Sequence, residues 1–290
     1  MTESFGIACG VISMLGYGLS NVAAKPLARA VGSAHAIAYR QLLVCLVLGV
    51  PIFVFDLPDT VTPLAVGQTI VISVLGYLPL LLFFQGLKIG KVGVISALTQ
   101  AKILVTAALS IIFLGEIFSE WQLVGVILVF GGLVLLSFNP EELRSNRLME
   151  ISEGAGYALS AGALWGVVFF LFKHSVGTLG PWLATFCIES TVCVCAWMHA
   201  STEQQPNDQD PISRMRFLLY VAIGALTAAT GTLFFNLGIT AADVSVVCTF
   251  TFSASVISAL AGWWLLGESL NRRQIASVAA VVAGVVAVTL

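Results

Sequence analysis

The chain is 290 residues long, with 58% hydrophobic and 10% charged residues and a mean hydropathy of +0.99. Globular domains carry about 25% charged residues, so 13 Lys and Arg with 15 Asp and Glu cannot coat a soluble fold of this size. The apolar excess must face lipid, and a net charge of −2 leaves no broad basic face for nucleic acid.

A membrane-crossing helix needs about 20 mostly apolar residues to traverse roughly 30 Å of hydrocarbon. In chain order the candidate spans are Phe5–Ala24, Ala34–Phe55, Val66–Leu87, Val92–Leu114, Trp121–Phe138, Ala155–Phe172, Trp182–Met198, Phe217–Leu237, Val244–Leu266 and Ile275–Leu290. The runs are continuous and rich in Leu, Ala and Val, whereas a β-barrel alternates over segments of about ten residues. The chain therefore reads as an all-α membrane protein of ten transmembrane helices. Met1-Thr2-Glu3-Ser4 lacks the positive flank of a signal peptide, so the first run is expected to stay as a span. The connection around Glu203–Arg214 is too short for a soluble catalytic domain.

All six cysteines, Cys9, Cys45, Cys187, Cys193, Cys195 and Cys248, fall inside apolar runs. Cys193 and Cys195 are two residues apart and point to opposite sides of a helix. Neither a disulfide framework nor a zinc cluster fits, and nothing in the pattern calls for a cofactor.

Ten spans put both termini on one side. Lys25, Arg29, Lys88, Lys91, Arg144, Arg147, Arg214, Arg216, Arg272 and Arg273 lie in the connections after odd-numbered spans, and only Lys173 lies after an even one. This bias places the odd connections, including Asn139–Ser152, in the cytoplasm and both termini outside.

The chain is also duplicated. Displaced by 152 residues, Phe83 falls on Phe235, Gly86 on Gly238, Val92 on Val244 and Thr99 on Thr251. Leu114-Gly115-Glu116 falls on Leu266-Gly267-Glu268, Gln122 on Gln274 and Gly132 on Gly284. The opening of each unit matches more loosely, with Gly6 and Gly16 near Gly156 and Gly166. The halves, 1–150 and 151–290, each hold five helices. Five is odd, so the copies enter the membrane from opposite faces as an inverted pair, the arrangement of secondary transporters with a midplane site between repeats.

Two such units, closing a helix pair with Phe-Leu-Gly-Glu (113–116) or Leu-Leu-Gly-Glu (265–268), then a Gln and a Gly-rich helix, resemble the drug/metabolite transporter superfamily. The nearest branch is the EamA-type exporters, and the resemblance runs the whole chain. It implies export or exchange of a small organic metabolite across the cell inner membrane. It also implies both termini in the cytoplasm, the reverse of the charge count.

Charge within a span is costly and tends to face a cavity or a partner. Arg40, seventh in its span on the positive side, reads as a side chain snorkelling to the headgroups. Lys102 stands near the midplane, where snorkelling is hard, and is expected to line a cavity. A structural ion pair with Glu189, midway along the seventh span, is the alternative. Ser96, Thr99, Thr106 and Ser110 form a polar stripe with Lys102. Ser245, Thr249, Ser255 and Ser258 repeat it in the ninth span, where Ala254 replaces the lysine. That asymmetry suits a ligand without two-fold symmetry.

Asn21, Gln85, Gln100 and Asn236 are further polar groups at depth, able either to meet substrate or to bond helix to helix. Tyr17, Trp165, Phe169, Phe250 and Phe252 are candidate apolar walls, and Trp121, Trp182 and Tyr220 read as interfacial anchors. Glu116 and Glu268 follow a Gly at a helix end, where a tight turn explains them. The expected substrate site is Lys102, Thr99, Thr106, Asn21, Gln85, Asn236, Trp165 and Thr249.

No Gly-x-Ser-x-Gly or His-Glu-x-x-His occurs, and His35, His174 and His199 are far apart, which argues against an intramembrane enzyme. No channel filter sequence occurs either. The expectation is a carrier of an amino acid or a related anionic or zwitterionic compound, working by alternating access in the lipid bilayer. Protons or a counter-substrate would drive it, and the protein would be a monomer or homodimer.

Overall fold

The computed structural model describes residues 3–52, 61–109, 112–113, 119–137, 153–203, 212–242, 247 and 250–288. It does not extend to the side chains at 3, 51–52, 106–107, 122, 136–137, 173 and 288. The elements are α1 (Glu3–Val31), α2 (Ser33–Ile52), α3 (Pro63–Ile89), α4 (Val92–Leu98), α5 (Ala101–Leu109), α6 (Glu120–Ser137), α7 (Ala155–Thr202), α8 (Arg214–Ala241), α9 (Ala254–Leu266) and α10 (Arg272–Val288). No strand occurs among the described residues.

Local chemistry sets several of these ends. Thr62 caps α3 by accepting from Ala65 N at 3.2 Å, with Pro63 following at the first helical position. Ser213 accepts from Arg216 N at 3.4 Å and caps α8. The sixth and seventh spans run as one helical stretch, α7, bent where Gly180 takes φ 70° ahead of Pro181. Proline has no N–H to donate and weakens a helix interior, and here the residue ahead of it, Gly180, leaves the helical φ range altogether. A corner there replaces the separate connection that the sequence suggests.

The fourth span is likewise not one helix. Thr99 Oγ1 donates to Ser96 O at 2.7 Å, and Gln100 Nε2 donates to Phe252 O at 2.7 Å. Side chains that bond nearby carbonyls compete with the helical ladder, and here α4 stops and α5 restarts two residues later. Gln100 N reaches Ala97 O and Lys102 N reaches Thr99 O, tighter steps than the α-helical one. The ninth span breaks at the matching depth, where Ser253 N bonds Phe250 O and Val256 N bonds Ser253 O.

The repeats are inverted. α1 packs along α8, α3 along the first part of α7, and α6 along α10. At the last pair, a Cβ on Gly132 would stand 3.0 Å from Ser277 O and 3.1 Å from Val281 N. One on Gly284 would stand 2.7 Å from both Gly125 O and Val129 N. Gly132 and Gly284, Gly125 and Ser277, and Val129 and Val281 each differ by 152, so the repeat operation exchanges the two sets of contacts. Late α6 meets early α10 and early α6 meets late α10, so the exchanged helices are antiparallel. The two-fold axis therefore lies across the helices, in the membrane plane.

The looser opening of the repeat is resolved by packing. Gly18 faces Ala254 O and Ile257, and Gly166 faces Lys102 O and Val105. Since 254 − 102 and 257 − 105 both equal 152, Gly18 and Gly166 are equivalent, with a separation of 148. The same separation relates Gly32 and Gly180, which share a positive φ of 84° and 70°. This replaces the pairing of Gly16 with Gly166. The second copy gains four residues between its second and third helices.

The core gathers Ala24, Leu27, Ile37, Phe84, Leu87, Ile95 and Leu98. Large apolar side chains such as Leu46, Ile127 and Trp264 instead stand 64–79% exposed on the outside, the surface that faces lipid.

Candidate functional site

A cavity of about 140 Å3 lies between the repeats. Its wall draws Tyr17, Ser20 and Asn21 from α1, Arg40 from α2, Leu80 and Phe83 from α3, and Ser96, Thr99, Gln100 and Lys102 from the broken fourth span. The second repeat adds Trp165, Phe169 and Glu189 from α7, Thr232 from α8, and Thr251 and Ser255 at and before the start of α9. Among the described residues, α6 and α10 contribute nothing to the wall, leaving them as a pair outside the site.

Lys102 is carried into this wall by the first turn of α5. Its Nζ lies 4.0 Å from the ring centre of Phe252, 5.1 Å from Phe169 and 5.9 Å from Trp165. Aromatic faces attract a cation in proportion to its desolvation, so the three rings help to hold an ammonium at this depth.

Arg40 does not snorkel. It is 7% exposed, with Nε and Nη2 donating to Gln41 Oε1 at 3.1 and 2.8 Å and Nη1 to Ser20 Oγ at 3.4 Å. Its guanidinium also stacks 5.0 Å from the centre of Phe84. Each guanidinium nitrogen thus finds an acceptor within the bundle, which holds the side chain inside rather than at the headgroups.

Glu189 accepts from Gln41 Nε2 and, at 2.7 Å, from Thr232 Oγ1, which in turn accepts from Tyr17 OH at 3.0 Å. A hydrogen-bonded chain thus runs Tyr17–Thr232–Glu189–Gln41–Arg40, crossing from one repeat to the other and back.

Asn21, Thr99 and Trp165 line the cavity wall. Asn21 Nδ2 donates to Ser96 Oγ at 3.2 Å and Ser258 Oγ at 3.1 Å, tying α1 to both broken spans. Gln85 does not reach it. Phe83 points inward, and two residues further the helix has turned by about 200°. Asn236 is also outside the wall; it is 1% exposed and donates to Thr185 Oγ1 at 2.5 Å, a helix-to-helix bond. The Thr106 side chain and all of Thr249, Ser110, Ser245 and Glu116 lie outside the described residues.

Lys25 was legible only as a loop charge, yet it anchors a buried knot. Its Nζ meets Glu268 Oε1 at 2.5 Å and Gly90 O at 2.7 Å, while Glu268 Oε2 accepts from Val92 N at 2.8 Å. The paired side chains are only 10% and 11% exposed. Glu268 does follow a tight turn, at Gly267 with φ 67°, and it also joins the two repeats across one membrane face. A lysine at both Lys25 and Lys173, 148 apart, was the signal available in the sequence.

Two segments, 4–138 and 152–290, match the model of the EamA-like transporter family. The chain belongs to this family. This EamA-like transporter also resembles a solved crystal structure of a protein, with a TM-score of 0.65 and 18% identity, over 98% of this chain and 96% of that one. At that identity the likeness is one of fold. No curated protein matches in sequence. The family is one of membrane transporters, which implies a small-molecule substrate and a membrane environment.

Proposed function

We propose that this EamA-like transporter is a secondary carrier of a small organic compound bearing a carboxylate, anionic or zwitterionic, moved by alternating access. The repeats, 1–150 and 151–290, rock about the axis on which the cavity lies, in the inner membrane of the cell. The protein acts as an exporter or exchanger. The observation that supports this reading is the placing of charges in the cavity wall: Lys102 and Arg40 from the first repeat, Glu189 from the second.

Lys102 is the group assigned to the substrate's carboxylate. A cation at the bilayer centre costs about 2.5–3.5 kcal/mol on insertion scales, and an arriving carboxylate offsets it. Glu189 is the group that would exchange a proton if protons drive transport; otherwise a counter-substrate takes that part. A volume of about 140 Å3 is close to that of engineered cavities that hold benzene, which limits cargo to small metabolites.

The test is counterflow into liposomes holding purified protein, with a panel of labelled carboxylates. Saturable counterflow is expected. Ohmic ion currents would favour a channel, and conversion of the compound an enzyme.

A further inference from the structure

The uncapped start of α9 carries an inference that goes beyond Lys102. α9 is 13 residues long, and its N-cap, Ser253 at φ −70° and ψ 1°, makes no side-chain capping bond. Around this end stand three buried polar atoms without a hydrogen-bond partner among the described residues: Thr251 Oγ1, Ser255 Oγ and Gln100 Oε1. The residues are 3%, 0% and 3% exposed, and all three line the cavity. A buried polar group without a partner costs free energy, so three at one spot of a cavity wall mark where a ligand's own polar atoms belong.

We infer that the α9 N-terminus, with Thr251, Ser255 and Gln100, is the subsite for the substrate's carboxylate and the polar substituent next to it. Two hydroxyls can donate, and a helix N-terminus favours negative charge; both suit a carboxylate. Gln100 Oε1 is a carbonyl oxygen and can only accept, and the amide's donor, Nε2, already serves Phe252 O and Ser96 O. It suits an N–H or O–H on the carbon beside the carboxylate. The ligand class is therefore a 2-amino or 2-hydroxy acid. Lys102, 4.0 Å from the ring of Phe252 in the same break, supplies the compensating charge from the other repeat. Arg40 is assigned no share in this part, since Nε, Nη1 and Nη2 each already donate to Gln41 or Ser20. This inference rests on the carrier reading for its substrate but not for its binding test.

The experiment is calorimetric titration of detergent-purified protein with four probes of one carbon skeleton. They are L-leucine, 2-hydroxy-4-methylpentanoate, 4-methylpentanoate and 3-methylbutylamine. The first two should bind best, the unsubstituted acid more weakly and the amine least. Thr251→Val with Ser255→Ala should weaken binding of all three acids about tenfold or more, the loss of one or two hydrogen bonds to a charged group. Thr251→Ser should bind like the natural protein, which separates a lost hydroxyl from a damaged fold. Unchanged acid affinity in the double variant, a preference for the amine, or no binding of any probe would overturn the subsite. Acid binding that the double variant weakens, in a protein without counterflow, would leave the subsite standing and remove the carrier reading instead. Counterflow that the double variant leaves intact would do the reverse.

Discussion

Gln41 and Glu189 occupy the same position in the two repeats and hydrogen-bond to each other, Gln41 Nε2 to Glu189 Oε2. Two equivalent residues can touch only where the symmetry axis passes between them. One turn on, Cys45 and Cys193 meet under the same separation of 148. Gln100 and Phe252, separated by 152, mark the axis again at the two helix breaks. The cavity lies along the line these contacts define. Its polar groups nevertheless break the symmetry, with Gln41 against Glu189, Lys102 against Ala254 and Leu80 against Thr232.

Glu189 should matter for stability as well as for function. Glu189→Ala removes the acceptor for both Gln41 and Thr232 and should cost about 2 kcal/mol. Glu189→Gln keeps an acceptor for Thr232 and should cost less. Thermal melting in detergent should rank the natural protein above Glu189→Gln and Glu189→Ala last. An Ala variant as stable as the natural protein would show that the chain from Tyr17 to Arg40 is not a support.

The Lys25–Glu268 knot should seal one face. With Ser96→Cys as reporter in a cysteine-free background, Lys25→Met should speed labelling from that face several-fold. Exchanging the charges, Lys25→Glu with Glu268→Lys, should slow it again. Labelling indifferent to Lys25→Met would mean that other contacts close this side.

Gly166 admits no side chain, because a Cβ would lie 2.6 Å from Val105 Cβ and 2.7 Å from Lys102 O. Gly166→Ala should therefore destabilise by about 1–3 kcal/mol. Gly156, where an added Cβ would have nothing within 4 Å, is the control and should accept Ala with little change. Equal melting of the two variants would contradict the close approach of α7 to α5.

Span number and duplication were legible because composition and a 152-residue displacement do not depend on packing. The two helix breaks were not, since Thr99 and Gln100 read as ordinary helix members until the bonds to Ser96 and Phe252 are seen. Arg40 misled for a related reason: its depth suggested a headgroup partner, while Gln41 and Ser20 supplied nearer ones. Gln85 and Asn236 show the limit of polarity as a guide, because depth in a span says nothing about which way round the helix a side chain points.

Orientation can be settled with two single cysteines. Asn271, after an odd span, should be shielded from an impermeant maleimide outside the cell, and Ser119, after an even one, should react. The reverse pattern would place the termini in the cytoplasm and set aside the charge count.

Lys102→Met, measured for counterflow and for melting together, tests the account most directly. The substrate reading expects saturable counterflow to be abolished with stability unchanged or raised, because a cation at membrane depth has gone. If Lys102 instead serves Glu189, the variant should melt lower, and adding Glu189→Gln should restore both stability and transport. Rescue in that double variant would contradict the assignment of Lys102 to the substrate.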